Sequence, residues 1–144
     1  MRKALKVLLL LLLAVLVLAA AYVAYVFLAY HRIPDNQVLT VEGSAANTLR
    51  PGGTYRALSY NIGFGAYEDD YSFFMDGGTE SWAWSEERLK ENLDEIAALL
   101  QKADADFYLL EEVDVDATRT YHFDESAVLR SALSDRTCVY AQNY

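Results

Sequence analysis

Hydrophobic and polar positions divide the chain sharply near residue 31. Val7 to Tyr30 form one uncharged, apolar run between Lys6 and His31. Since ~20 apolar residues at 1.5 Å rise cover the hydrocarbon core of a bilayer, this run predicts a membrane-spanning helix. A cleavable signal peptide is the competing reading, because Arg2, Lys3 and Lys6 make a basic start and Ala19, Ala20 and Ala21 offer small residues for cleavage. The run continues through Tyr22, Val23, Tyr25, Val26, Phe27 and Leu28, which a cleaved segment does not need, and this favours a retained anchor over 1–32.

After the span the periodicity changes. Residues 33–53 hold Pro34, Asn36, Gly43, Ser44, Asn47, Pro51, Gly52 and Gly53 around one short alternation at Gln37–Val41, and read as a linker or edge segment. Tyr55–Ile62, bounded by Gly53 and Gly63, predicts a strand that buries both faces. A long loop follows to about Trp84, crowded with Phe64, Tyr67, Tyr71, Phe73, Phe74 and Trp82, whose expected role is to pack over the sheet edge. Ser85 is placed to cap a helix with Glu86 and Glu87 in its first turn. Leu89, Leu93, Ile96, Ala97 and Leu100 recur at helical spacing along it. Phe107–Val113 predicts a second strand, Glu125–Leu133 a second helix and Thr137–Gln142 a third strand. Strand, helix, strand in this order is a βαβ unit, with parallel strands and a right-handed crossover. One or two helices do not cover both faces of a parallel sheet, so 54–144 is expected to be the opening of a larger α/β domain, a fragment or the product of a truncated gene.

Charge sharpens this division. Arg2, Lys3 and Lys6 precede the span and only Arg32 and His31 follow it closely, so the N-terminus is expected in the cytoplasm and the rest outside the cell membrane. All 21 acidic residues lie after residue 32, against eight Lys and Arg there, a net of −13. Such a field disfavours a broad nucleic-acid footprint and suits a local cation site. Cys138 is the only cysteine, which excludes an intramolecular disulfide. Gly63-Phe64-Gly65 lacks the third glycine of a dinucleotide fingerprint, and Asp69-Asp70, Asp104/Asp106 and Asp114/Asp116 read as solvated loop carboxylates.

The βαβ order puts Asn61 and Glu112 at the carboxyl ends of the two strands, where open α/β sheets bind ligands. An amide oxygen and a carboxylate are hard ligands suited to Mg²⁺. The residues alone leave a second reading open, in which Asn61 satisfies backbone groups in the turn before Gly63 and Glu112 is solvated. Arg119 is a candidate for a substrate phosphate through its guanidinium fork, with Tyr121 or His122 assisting. The competing reading is that Thr118–Phe123 is an exposed loop.

The segment Leu58-Ser-Tyr-Asn61-Ile-Gly63 resembles the opening strand motif of the endonuclease/exonuclease/phosphatase superfamily. Asp106-Phe-Tyr-Leu-Leu-Glu-Glu112-Val-Asp114 resembles its second motif, at the family's spacing and with an amphipathic helix between. The resemblance implies a four-layered, DNase I-like α/β sandwich, incomplete here, and an Mg²⁺ site that includes Asn61 and Glu112. The implied activity is hydrolysis of a phosphoester, with a nucleic acid, a phospholipid or a small phosphate as substrate. Glu111 stands where the family commonly has Gln, and strand alternation is expected to turn it away from Glu112. The family's later Asp-x-Asn, Asp and Asp-His motifs do not follow Glu112. The expectation is therefore a membrane-anchored, Mg²⁺-dependent phosphoesterase whose 144 residues are inactive alone. The alternative is a non-catalytic interaction module displayed on the membrane.

Overall fold

The computed structural model describes residues 2–44 and 48–142, so Asn47 and the chain end at Asn143–Tyr144 lie outside the described residues. The chain forms two compact units, Met1–Val38 with Gln142–Tyr144, and Leu39–Ala141.

In the first unit, α1 runs from Arg2 to Ala29 with no buried residue. Its 28 residues are apolar enough to cross a membrane, and at 1.5 Å per residue they extend about 42 Å. Beyond its end the Arg32 guanidinium meets the Asp35 carboxylate at 2.7 Å.

The second unit begins inside the stretch expected as linker, because Val41–Glu42 form a short strand, β1. This strand pairs antiparallel with Cys138–Val139, β4, in the register Val41↔Val139 and Glu42↔Cys138. The expected third strand therefore joins β1 and not the parallel sheet. An ion pair between Arg130 and Glu42 ties the same strand to the helix preceding β4.

The parallel sheet consists of β2, Ala57–Asn61, and β3, Phe107–Glu111, in a register from Ala57↔Phe107 to Asn61↔Glu111. Between them runs α2, Glu86–Ala103. The Ser85 hydroxyl caps α2 by accepting the Arg88 N–H at 3.2 Å, as the sequence predicts. Leu89, Leu93, Ala97 and Leu100 are buried on one side of α2, the face that the helical spacing marks. The last helix, α3, spans Glu125–Ala132 and starts on Asp124, whose carboxylate accepts the Ala127 N–H at 2.9 Å.

Among the described residues only one face of the parallel sheet is covered. Leu58, Tyr60, Tyr108 and Leu110 pack against the core, whereas Ala57, Ser59, Asn61, Phe107, Leu109 and Glu111 are exposed. The expectation that Tyr55–Ile62 buries both faces is corrected by its own composition: within β2 the large apolar side chains fall at alternate positions, the pattern of a strand with one inner face.

Phe64 is the centre of the core and is 0% exposed. Its ring meets Tyr67, Tyr71 and Phe73 at centroid distances of 5.8, 6.1 and 5.8 Å. The expected packing of the aromatic loop holds in part: Phe64, Tyr71 and Phe73 enter the core, whereas Tyr67, Phe74, Trp82 and Trp84 remain exposed.

Candidate functional site

Because β2 and β3 are parallel, both end at the same sheet edge, and the ladder carries on past them. The Ile62 N–H donates to the Glu111 carbonyl at 3.0 Å, and the Phe64 N–H donates to the Glu112 carbonyl at 3.0 Å. Between these rungs the side chains meet. The Asn61 amide Nδ2 donates to Glu112 Oε1 at 2.9 Å, and Asn61 Oδ1 accepts the Gly63 N–H at 2.8 Å. Two residues 51 positions apart are thereby joined across one strand edge.

Strand alternation does not produce this contact. β3 stops at Glu111, short of the expected Val113, and the register puts Glu111 beside Asn61 on the open face. Continued alternation would send Glu112 toward the covered face. Instead Glu112 adopts φ 54°, a left-handed conformation that turns its carboxylate back to Asn61. The expected separation of Glu111 from Glu112 by opposite faces is therefore replaced by a turn at the strand end.

The segment facing Glu112 is equally constrained. Gly63 has φ 55°, and a Cβ there would run into the Tyr67 ring. Gly65 has φ 60°, and its Cβ would lie 2.7 Å from Leu89 Cδ1. Phe64, between them, takes φ 42° despite its bulky side chain. A left-handed conformation costs a non-glycine residue roughly 1–2 kcal/mol, so burial of the ring must offset it.

Asn61 and Glu112 line a groove of about 870 Å³ that also borders Tyr67, Arg88, Asn92 and Glu95. Seven of its lining side chains are carboxylates, and its single cation, Arg88, is paired with Glu68. Desolvation and then the Asp76 carboxylate push the Tyr67 phenol above its ordinary value, which keeps it a neutral donor, and its hydroxyl donates to Asp76 Oδ2 at 3.3 Å.

Among the described residues no group of three or more His, Cys, Asp or Glu side chains is arranged to hold a metal ion. In kind, one carboxylate and one amide suit Mg²⁺, which retains several waters and uses one or two carboxylates, better than a cation needing a full protein cage. In this arrangement the amide turns Nδ2 to the carboxylate and its oxygen to the Gly63 N–H, so Glu112 is the group free to meet a cation and the amide would have to turn over to join it.

The other candidates lie elsewhere in the same unit. Arg119 donates from Nε and Nη2 to the Asp114 carboxylate at 2.7 and 2.9 Å, and its guanidinium stands 3.9 Å from the Phe64 ring centre. The Tyr121 hydroxyl donates to the Ala83 carbonyl at 2.8 Å, and His122 Nδ1 lies 2.8 Å from Asp116 Oδ1. Neither Arg119 nor Tyr121 lines the groove.

Glu125 escapes sequence reasoning, which places it as an ordinary acidic residue in a first helical turn. Its side chain is fully buried; Oε2 accepts the Asp114 N–H at 2.8 Å and Oε1 has no hydrogen-bond partner among the described residues. Burial pushes its carboxyl group up to about 8, with the nearby Asp114 charge adding to the shift while the Asp114 N–H and Arg119 oppose it. No sequence signal marks it: α2 also opens on a capping side chain followed by acidic residues before an apolar face, and there Glu86 and Glu87 are exposed.

No family model, curated protein or solved structure matches the chain.

Proposed function

We propose that the Leu39–Ala141 unit bears part of a divalent-cation site of the endonuclease/exonuclease/phosphatase type, on the opening portion of a four-layered α/β sandwich. The protein is then a membrane-tethered phosphoesterase component acting outside the cytoplasmic face. The observation that supports this reading is the Asn61–Glu112 hydrogen bond at the shared carboxyl edge of two parallel strands, on the two residues that the motif resemblance singles out. Left-handed conformations at Phe64 and Glu112 support it further, since strain retained at a strand edge accompanies binding sites.

In this reading Glu112 supplies the formal charge, Asn61 supplies a neutral oxygen, and the acidic groove raises the local cation concentration. Bound Mg²⁺ would polarise a phosphoryl group. The groove's excess of carboxylates disfavours a polyanion such as duplex DNA and leaves a phospholipid head group or a small phosphate ester as the substrate class. Arg119 and Tyr121, engaged with Asp114 and Ala83, have no phosphate-binding role in this proposal.

A second reading, a non-catalytic module displayed on the membrane, is favoured by one contact. Asn61 Oδ1 already accepts the Gly63 N–H, as a purely structural turn residue would.

The two readings are separated by cation binding to the full chain in detergent micelles, read by Trp- and Tyr-sensitised terbium luminescence with Mg²⁺ as competitor. On the metal-site reading Glu112→Gln weakens the Mg²⁺-competed signal at least tenfold and Glu111→Gln leaves it within twofold. Equal effects of the two substitutions assign the signal to diffuse acidic charge and favour the module.

A further inference from the structure

Glu112 holds its left-handed conformation between two anchors. On one side its carbonyl accepts the Phe64 N–H at 3.0 Å. On the other, two residues on, the Asp114 N–H donates to Glu125 Oε2 at 2.8 Å, while the Glu125 N–H donates back to the Asp114 carbonyl at 3.1 Å. This reciprocal pair clamps the turn after β3 to the first residue of α3. The turn is otherwise held through its side chains: Asp114 is paired with Arg119, whose carbonyl accepts the Ala83 N–H at 2.9 Å.

We propose that Glu125 is a positioning residue for the candidate site: its buried carboxyl group latches the Glu112–Asp116 turn to α3 and so holds the Glu112 carboxylate against Asn61. The inference rests on the cation-site reading for its function, but the latch itself is a property of the fold.

The Asp114 N–H hydrogen bond favours ionised Glu125, but burial, the larger effect, favours the neutral carboxyl group, in which one oxygen carries the proton and Oε2 still accepts that N–H. Ionised, Glu125 would confine a charge in a fully buried side chain, facing the Asp114 carboxylate from the turn and the Asp124 carboxylate at the start of α3. Arg119, the cation that favours its ionised form, is already bound bidentately by Asp114. A buried charge in such surroundings is relieved by opening the structure to water or by taking up a proton. Raising the pH removes the proton, so the latch must loosen in alkali. The native carboxyl group titrates well above its ordinary value, so the stabilisation is complete below about 4.5 and is lost as pH rises through about 8.

The test is hydrogen–deuterium exchange of the full chain in micelles between pH 6 and 9.5, corrected for intrinsic exchange and followed in peptides covering Glu112–Thr120. Wild type is expected to lose at least tenfold protection in that segment between pH 6 and 8 and to level off above, while the α2 peptides keep theirs. Glu125→Gln supplies a neutral side chain whose Oε1 still accepts the Asp114 N–H, and is expected to hold its protection flat across the range. Glu125→Ala should expose the segment at every pH. Protection in wild type that is independent of pH, or a Glu125→Gln profile that follows wild type, overturns the proposal. Neither readout involves a metal, so failure of the latch and failure of the Mg²⁺ site are told apart by the terbium comparison of Glu112→Gln with Glu111→Gln.

Discussion

Replacing Phe64 by Ala removes the one side chain on which the aromatic loop, the strand edge and Arg119 all converge. The ring is 0% exposed, touches three other aromatic rings, and lies under the Arg119 guanidinium at 3.9 Å. A buried Phe→Ala change costs about 3–5 kcal/mol through lost transfer energy and the cavity left behind. The cation–π contact, half-buried here, adds on the order of 1 kcal/mol. The left-handed backbone at φ 42° remains in the variant, so the strain of roughly 1–2 kcal/mol is no longer offset by a packed ring. A loss of about 4–6 kcal/mol is a large share of the roughly 5–15 kcal/mol that holds a domain together. The measurement is thermal unfolding of the full chain in micelles by near-ultraviolet circular dichroism, followed in the Trp region because Trp82 and Trp84 both lie in the second unit whereas α1 carries Tyr22 and Tyr25. At about 4–8 °C per kcal/mol for a unit of this size, a fall of at least 15 °C is expected. Phe64→Leu, which keeps apolar volume but not the π-face, should recover more than half of the loss. A Phe64→Ala midpoint within 3 °C of wild type would refute the argument that burial of this ring stabilises the left-handed turn.

Ser85→Ala removes the cap that accepts the Arg88 N–H and should cost about 1 kcal/mol, read as a lower unfolding midpoint in the same assay. Gly63→Ala should cost more than that, since a side chain there meets both a left-handed φ and the Tyr67 ring; an unchanged midpoint would show that the Gly63–Gly65 turn relaxes easily. The 144-residue chain with Mg²⁺ is expected to show no turnover of a generic phosphodiester, and turnover abolished by Glu112→Gln would overturn that expectation. A reporter active only in the cytoplasm, fused after Tyr144, is expected to be silent, because the basic residues precede α1; an active reporter would reverse the orientation.

What the sequence made legible was whatever depends on a repeated pattern. The α2 face of Leu89, Leu93, Ala97 and Leu100, the Ser85 cap and the strand–helix–strand order all follow from periodicity over five or more residues. The β1–β4 pair was illegible because two residues on each side, separated by almost the whole unit, leave no period to detect. The open face of the parallel sheet was legible in principle. Ala57-Leu58-Ser59-Tyr60 alternates, but reading the stretch as uniformly apolar obscured it. The partners of Arg119 were hidden for another reason: Asp114 and Phe64 are brought to it by a turn and a strand edge that no local pattern specifies.

The meeting of Asn61 and Glu112 was legible for a reason that differs from the one that makes it happen. Strand order alone places both residues at one edge, and that much follows from the amphipathic helix between them. Alternation then gives the wrong face for Glu112, because it assumes that the extended conformation continues. The contact forms because the chain leaves the strand at Glu111 and enters a left-handed turn that the Phe64 N–H fixes from one side and the Asp114–Glu125 clamp from the other. The side chain nearest the candidate chemistry is thus aimed in part by two residues outside the motifs, Phe64 and Glu125. A second chain carrying the same two short motifs but lacking a buried acid or amide at the position of Glu125 should therefore keep the strand edge and lose the Asn61–Glu112 contact. Grafting the Glu112–Glu125 segment as one piece should restore that contact where grafting Glu112 alone does not. A restored contact from Glu112 alone, seen as the same preference for Glu112→Gln over Glu111→Gln in cation binding, would show that the strand edge suffices and that the turn follows from it.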